Sequence, residues 1–286
     1  MQARDPKLTQ VYLRPDLREH WGNGNPLEQA FGLQGEVFRD MPGRRTLRVE
    51  ILGRHHFVKL HDGVGWKEVF KNWLQLKWPV IGAQNEYEAC RDLAELNIPA
   101  PIPVGYAKSA GNIAHQRSFV LCEALTDFET LEDVTNAWFD KPAHWLERRH
   151  LLNAVAKFAR EFHQAGFVHR DFYLCHLLIK NVDLSQLKTL TCIQLMVLDL
   201  HRAQRFNKLP NRWRRRDLAG LLFSALDLGL TQRDIFRFVR LYTNKPLKQV
   251  FVEDRAFWQS VLIRAEKLYA KGSKKNLTRG LYKGDL

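Results

Sequence analysis

The chain has 286 residues, of which 45% are hydrophobic, and a formal net charge of +13. This length and apolar content suffice for one large domain or for two lobes, which excludes disordered and fibrous classes. The sequence contains no uncharged apolar run of about 18 residues, so it predicts no membrane-spanning helix. Charged residues interrupt the stretch from Met1 to Trp21, so a secretory leader is not expected either. The cysteines are widely spaced, which is typical of free thiols in a reducing cytosol.

The strong positive charge predicts attraction to phosphates, to anionic lipid or to an acidic protein partner. Nucleic acid is the ordinary alternative for a basic chain. However, the sequence carries no helix-turn-helix, zinc-finger or RNP signature, so we expect no nucleic-acid partner.

The first half of the chain is predicted to be mainly a β-sheet. Its first 35 residues are rich in turn formers and contain one short helix from Pro26 to Phe31. Alternating apolar and polar residues then indicate an antiparallel meander. The helix from Ile81 to Leu96 follows, and two more strands complete a sheet of about five. The predicted strands are 36–39, 46–51, 56–60, 104–107 and 118–122.

A second helix in this half, Trp66 to Trp78, has tryptophans on one face and lysines on the other. Most amphipathic helices face a protein core, so packing on the sheet is the first interpretation. The alternative is contact with a membrane interface.

The second half is predicted to be mainly helical. A long helix from Trp145 to Gln164 stops at Gly166, and a capping box at Thr231 starts a later one. The other predicted elements are strands 177–180 and 193–200 and helices 216–226 and 254–270. We therefore predict an α+β fold with two lobes and a cleft between them. The predicted lobes comprise residues 1–123 and residues 124–286.

The segment from Phe167 to Leu178, FVHRDFYLCHLL, contains the main candidate for catalysis. Its tripeptide His169-Arg170-Asp171 is followed five residues later by His176. Phosphoryl transfer to a hydroxyl needs a carboxylate that orients the hydroxyl, together with ligands for metal ions. Asp171 is the candidate carboxylate, although the tripeptide alone also fits a surface turn.

Three further residues occur in the chain order that protein kinases use. Lys59 ends the third predicted strand and would bind ATP phosphates. Glu86, with Glu88 as its rival, lies on the following helix and would pair with Lys59. Asp199 ends a later strand and would hold Mg²⁺. Their order predicts a protein-kinase-like fold.

Two positions differ from the protein-kinase pattern. His176 replaces an asparagine and would either bind metal poorly, because Mg²⁺ prefers oxygen, or donate a hydrogen bond to phosphate. The glycine-rich loop is reduced to Gly43, and the adjacent Arg44 and Arg45 either clamp phosphate or are exposed turn residues. Glu123, in the connector between the lobes, completes the predicted nucleotide-binding set.

Seven motifs together carry a resemblance to a known family. They lie at residues 33–37, 43–48, 57–59, 169–176, 198–204, 212–213 and 217–219. The chain resembles the lipopolysaccharide core heptose kinases, the WaaP or RfaP family, from about Gly22 to Tyr269, and His176 belongs to this family's pattern. The resemblance implies ATP-dependent phosphorylation of the first heptose of a lipid-anchored inner-core saccharide. It also implies a location at the cytoplasmic face of the inner membrane of a Gram-negative cell.

A run of basic residues without an acid follows Asp199, where kinases recognise their acceptor. We expect part of it, namely Arg202, Arg212, Arg214 and Arg215, to bind anionic groups of the acceptor, or else to form a solubilising face. Asp217 is expected to anchor the catalytic loop. The basic C-terminal tail suggests peripheral contact with an anionic membrane. The alternatives are a kinase of the 3-deoxy-octulosonic acid residue and an inactive scaffold that binds anionic lipid or an acidic protein.

Overall fold

The structure is a computed structural model that describes residues 8–63, 82–112, 115–140, 143–180, 193–275 and 277–282. The predicted helix from Trp66 to Trp78 and the start of the next helix at Ile81 lie outside the described residues. Contacts divide the chain into a first unit, Met1–Thr126 with Asp199–Arg202, and a second unit, Asp127–Leu198 with Ala203–Leu286.

The first unit contains an antiparallel sheet of six described strands in the order β1-β5-β6-β4-β3-β2. Alternation buries Leu47, Val49 and Ile51 of β3 and Val58 and Leu60 of β4 on one face. The prediction of about five strands was too low, because the strand β1 was interpreted as loop. The strands are β1 (Leu8–Leu13), β2 (Glu36–Met41), β3 (Arg44–Ile51), β4 (Arg54–Asp62), β5 (Pro103–Ser109) and β6 (Arg117–Glu123).

Two short helices, α1 (Pro15–Trp21) and α2 (Pro26–Phe31), cover the apolar face of this sheet. Each begins with proline, whose fixed φ suits the first helical position. Leu27 and Ala30 of α2 are fully buried in this core. The helix α3 (Gln84–Glu95) buries Glu86 together with its apolar residues. The prediction of α2 is confirmed, whereas α1 was not predicted.

The second unit is mainly helical, and short strands flank the segment of residues 169–176. The helix Trp145–Gln164 agrees with its prediction, and a capping box of Thr231 and Asp234 begins the helix Gln232–Thr243 as predicted. The helix Asn211–Ala225 starts earlier than the predicted Arg216. The elements are β7 (Phe128–Thr130), α4 (Leu131–Asp140), α5 (Trp145–Gln164), β8 (Phe167–Val168), β9 (Leu177–Lys180), β10 (Leu195–Val197), β11 (Gln204–Arg205), α6 (Asn211–Ala225), α7 (Gln232–Thr243), α8 (Leu247–Glu253) and α9 (Arg255–Ser273).

The turn between α5 and β8 requires glycine. Gly166 has a φ of +87°, and a Cβ at this position would lie 2.0 Å from the carbonyl oxygen of Phe206. This close approach lets β8 pair with β11, and the segment that begins at His169 follows β8 directly.

An apolar cavity of about 400 Å³ lies among the helices of the second unit. Leu131 and Trp138 of α4, Val155 of α5, Leu221 of α6 and Trp258 of α9 contribute to its wall. Leu174, three residues after Asp171, also lines it.

The predicted α+β class is confirmed, with an antiparallel sheet in the N-terminal part and helices in the C-terminal part. Among the described helices, none combines the length and the apolar character needed to cross a bilayer.

Candidate active site

Lys59 lies on the face of the sheet opposite the apolar core. In the register of β3 and β4, Thr46 is opposite Lys59 and Arg44 is opposite His61. Directly opposed residues share a face in an antiparallel pair. The strand pairing therefore places four polar side chains on the face that looks away from Leu47 and Val58.

Two carboxylates of the first unit hold the ammonium group of Lys59. Its Nζ donates hydrogen bonds to Glu86 Oε1 at 2.5 Å and to Asp199 Oδ1 at 3.0 Å. Burial opposes the charge, but the nearby carboxylates outweigh it and raise the pKa of Lys59. The rival residue, Glu88, instead accepts a hydrogen bond from Gln84. The structure thus places Glu86, and not Glu88, beside Lys59.

Asp199 occupies a left-handed turn with a φ of +58°, directly before the 3₁₀ turn Leu200–Arg202. His201 Nδ1 lies 2.7 Å from its Oδ1 and Arg44 lies at 3.8 Å. Burial favours the protonated acid, but the hydrogen bond from His201 and the charge of Lys59 prevail and hold the pKa of Asp199 well below its usual range. Asp199 is therefore ionised at neutral pH.

His61 was not predicted as a site residue. Its side chain is buried, and its Nε2 has no hydrogen-bond partner among the described residues. Burial, together with the charges of Arg44 and Lys59, lowers the pKa of His61 to about 3. Its position two residues after Lys59, on the same face of a strand, was the available sequence signal.

Three predicted nucleotide-binding residues stand apart from this group. Gly43 has a φ of +75° and forms the turn between β2 and β3. Arg45 points to the other face from Arg44 and lies 3.9 Å from Asp40. Glu123 forms an ion pair with Arg14. The structure therefore brings together Lys59, Glu86, Arg44 and Asp199, but not Arg45 or Glu123.

The catalytic loop of the second unit is anchored by a buried carboxylate of α6. Asp217 accepts hydrogen bonds from the backbone NH groups of His169 at 2.6 Å and Arg170 at 2.8 Å. This confirms its expected role as the anchor of the loop. His163 lies 3.4 Å from Asp217 and hydrogen-bonds Tyr242 at 2.8 Å, which ties α5 and α7 to the same carboxylate.

The two histidines of the loop have internal partners. His169 is buried, and its Nε2 lies 2.8 Å from the carbonyl oxygen of Leu198. Burial lowers the pKa of His169. His176 Nδ1 lies 2.6 Å from the carbonyl oxygen of Asp171. A carbonyl oxygen only accepts, so Nε2 of His169 and Nδ1 of His176 each carry a proton and donate it.

The predicted acceptor-binding arginines are distributed over both units. Arg202 belongs to the first unit, whereas Arg212, Arg214 and Arg215 lie in the first turns of α6. Arg212 lies over the ring of Trp213 at 5.4 Å, and Arg214 lies over Phe257 at 4.4 Å. Arginine on an aromatic face is stabilised by the ring while its in-plane donors point outward.

Comparison with known proteins gives a consistent result. The sequence profile of the lipopolysaccharide kinase (Kdo/WaaP) family matches residues 28–242. The lipopolysaccharide core heptose(I) kinase WaaP of Pseudomonas aeruginosa is 40% identical over 264 residues, which are 91% of this chain and 96% of that protein. The WaaP of Escherichia coli K12 is 36% identical over 267 residues, which are 93% of this chain and all of that protein.

A solved structure of WaaP in complex with acyl carrier protein is similar to this fold. Its TM-score is 0.77 at 36% sequence identity, with 91% of this chain and 100% of that chain covered. The profile match spans more than half of the chain, and its relatives align over nearly their whole length. This chain belongs to the lipopolysaccharide kinase (Kdo/WaaP) family.

Proposed function

We propose that this protein transfers the γ-phosphoryl group of ATP to a heptose hydroxyl of the lipopolysaccharide inner core. The observation that carries the proposal is the position of Lys59 between Glu86 and Asp199 in a chain of this kinase family. A buried lysine held between two carboxylates is a rigid point charge suited to ATP phosphates.

The first unit supplies the groups that bind the nucleotide. Lys59 contacts the α- and β-phosphates, and Glu86 fixes its direction. Arg44 adds a guanidinium on the same face, where it replaces part of the missing glycine-rich loop. Because these side chains are already held in place before ATP binds, less entropy is lost on reaching the transition state.

Asp199 is the residue best suited to hold Mg²⁺. Its oxygens are hard donors, and it remains ionised at neutral pH. The described residues contain no cluster of three or more potential metal ligands. That fits an ion held by one or two carboxylates and the substrate phosphates. Bound Mg²⁺ would neutralise charge on the phosphates. The nitrogen of His176 is a poorer Mg²⁺ ligand than a carboxylate.

Asp171 orients the acceptor hydroxyl and takes its proton. Its loop is held by Asp217 at two backbone positions, and Arg216 lies 3.9 Å from its carboxylate. A positioned base of this kind contributes roughly 10²–10⁴-fold to the rate.

The decisive experiment offers the protein ATP with heptosylated lipid acceptors that differ by one sugar, and locates the new phosphate by mass spectrometry. We expect phosphate on the first heptose and none on the acceptor that lacks it. Phosphate on the 3-deoxy-octulosonic acid residue would instead establish the alternative kinase. Tight ATP binding without any transfer would favour the inactive scaffold.

We also propose an acidic carrier protein as a partner. The solved WaaP structure contains acyl carrier protein, and this chain has a net charge of +13. The exposed edge of the apolar cavity carries Phe236 and Phe251, and the exposed Arg233 and Lys248 lie on the same two helices. The acyl chain of the carrier would occupy the apolar cavity. Acidic residues of the carrier would pair with the basic residues at this edge.

Size-exclusion chromatography with acylated and unacylated carrier protein tests this partner. Co-elution should be stronger with the acylated form. The cavity-filling change Ala225→Phe should remove that difference, whereas Arg233→Glu should weaken both complexes. Equal retention of the two forms by the wild type would argue against the cavity as an acyl site.

A location at the cytoplasmic face of the inner membrane is part of the same proposal. The basic residues Lys274, Lys275 and Arg279 near the C-terminus support contact with anionic lipid. Sedimentation with anionic vesicles tests it, and a Trp73→Glu variant tests the tryptophan-rich segment. Unchanged sedimentation of that variant would exclude the segment as the contact.

A further inference from the structure

The backbone of the catalytic loop is strained directly before Asp171. Arg170 has a φ of +73°, a left-handed conformation that is unfavourable for a residue with a side chain. Such a conformation persists only where surrounding contacts hold it. Asp217 accepts from the NH of Arg170 at 2.8 Å, and Arg216 Nε donates to its carbonyl oxygen at 3.0 Å.

The side chain of Arg170 is held by an aromatic ring. Its guanidinium lies 4.5 Å from the ring centroid of Trp213 and donates to Gln204 Oε1 at 2.5 Å. The guanidinium of Arg216 lies over the same ring at 5.7 Å. Trp213, Arg216 and Asp217 are three and four residues apart on α6, so one helix face supplies the ring, the guanidinium and the carboxylate to the loop.

The indole nitrogen of Trp213 does not hold the side chain in its position beside Arg170. Its indole NH is buried without a hydrogen-bond partner among the described residues. Leaving such a donor unsatisfied is unfavourable, so the contribution of Trp213 comes from its ring face. An indole has the strongest attraction for a cation among the aromatic side chains.

We propose that Trp213 is a positioning residue for the catalytic loop. Its ring holds the guanidinium groups of Arg170 and Arg216, and through them the backbone that orients Asp171. This inference rests on the proposed function for its effect on turnover, but its effect on the loop is independent of the substrate.

The test compares two apolar replacements that differ in the ring. Trp213→Phe keeps an aromatic face, whereas Trp213→Leu keeps apolar bulk without one. Trp145→Leu is the matched control, because Trp145 is an exposed tryptophan of the same unit with Arg149 over its ring at 6.0 Å. Trp213→Met provides a second replacement without a ring, should the Leu variant fail to fold.

We expect Trp213→Leu to lower kcat about tenfold or more, with the KM for ATP changed less than about twofold. Trp213→Phe should retain most of kcat, and Trp145→Leu should match the wild type. Equal kcat values for the Phe and Leu variants would overturn the proposal, because packing alone would then explain the position.

Hydrogen exchange of the full chain supplies a readout that needs no turnover. Amides of residues 169–171 should exchange faster in Trp213→Leu than in Trp213→Phe, with the exchange of β4 unchanged. Loss of this difference would contradict the positioning role. A wild type that transfers no phosphate would contradict the proposed function and leave the exchange result interpretable.

Discussion

The two units stabilise their charged site residues in different ways. In the first unit, Lys59 and Asp199 are ion-paired directly and mostly buried. In the second unit, Arg212 and Arg214 lie on aromatic rings. Direct pairing fixes one geometry, which suits a constant ligand such as ATP. An aromatic ring holds a guanidinium through its flat face and leaves it without a fixed carboxylate partner, which suits a large anionic acceptor.

The largest effect should come from the loop of the second unit. Asp171→Ala should lower kcat by roughly 10²–10⁴-fold, because the base that orients the hydroxyl is lost. ATP binding, measured by calorimetry, should stay close to that of the wild type, since Lys59 and Glu86 are unchanged. Near-normal turnover would remove Asp171 from the mechanism.

The ion pair of the first unit should matter next. Glu86→Gln removes the buried carboxylate partner of Lys59 and should lower kcat/KM for ATP by about tenfold or more, because the ammonium group is then no longer held in one direction toward the phosphates. Glu88→Gln is the matched control on the same helix. Its kinetics should equal those of the wild type, and a similar loss in both variants would contradict the assignment.

The neutral, buried His61 predicts a pH dependence of stability. Its pKa is about 3 in the folded protein, so the unfolded chain binds the extra proton as pH falls below about 6.5. The contribution of the neutral His61 to the free energy of unfolding is complete above that pH and declines as the pH falls toward 3. From pH 7 to pH 5 the loss should be about 2 kcal/mol.

Chemical denaturation of the wild type and of His61→Leu at both pH values measures this contribution. The variant should lose less stability than the wild type over the same interval. Parallel losses in the two proteins would show that other groups dominate the acid sensitivity.

The smallest effect is expected at the basic surface of α6. Neutralising the exposed Arg212 and the half-buried Arg214 and Arg215 together should raise the KM for the glycolipid acceptor by at least about threefold, since each charge contributes roughly 0.2–1 kcal/mol. The KM for ATP should change much less. Equal changes in both KM values would favour a solubilising role, and a lower melting temperature would identify Arg214 on Phe257 as structural.

The sequence predicted the elements whose signal is local. The strands around Lys59, the capping box at Thr231 and the family motifs depend on nearby residues, and they are confirmed. The strand β1 was missed because its partner, β5, is about 95 residues away in the chain. The start of α6 was missed because a run of arginines hides its apolar periodicity.

Side-chain placement depends on details that sequence reasoning resolves poorly. Arg44 and Arg45 are adjacent, yet only Arg44 lies near Asp199, because neighbouring strand residues point to opposite faces. The role of His176 toward metal or phosphate stays a prediction, whereas the contact of its Nδ1 with the Asp171 carbonyl follows from the loop conformation. Trp213 belongs to the family motif at residues 212–213, but its contact with Arg170 depends on the conformation of the loop.

The left-handed residues have a consequence for protein engineering. Of the five described non-glycine residues with positive φ, Arg170 and Asp199 are in the candidate site. Glycine adopts this conformation without strain, so Arg170→Gly relieves a local conflict at the cost of a functional side chain. Asp199→Gly would in addition break the ion pair with Lys59. A selection for heat resistance alone would therefore favour the change at Arg170. Directed evolution of this enzyme should therefore screen for turnover at every round. Selection for thermal stability alone would yield more stable proteins that no longer phosphorylate the acceptor.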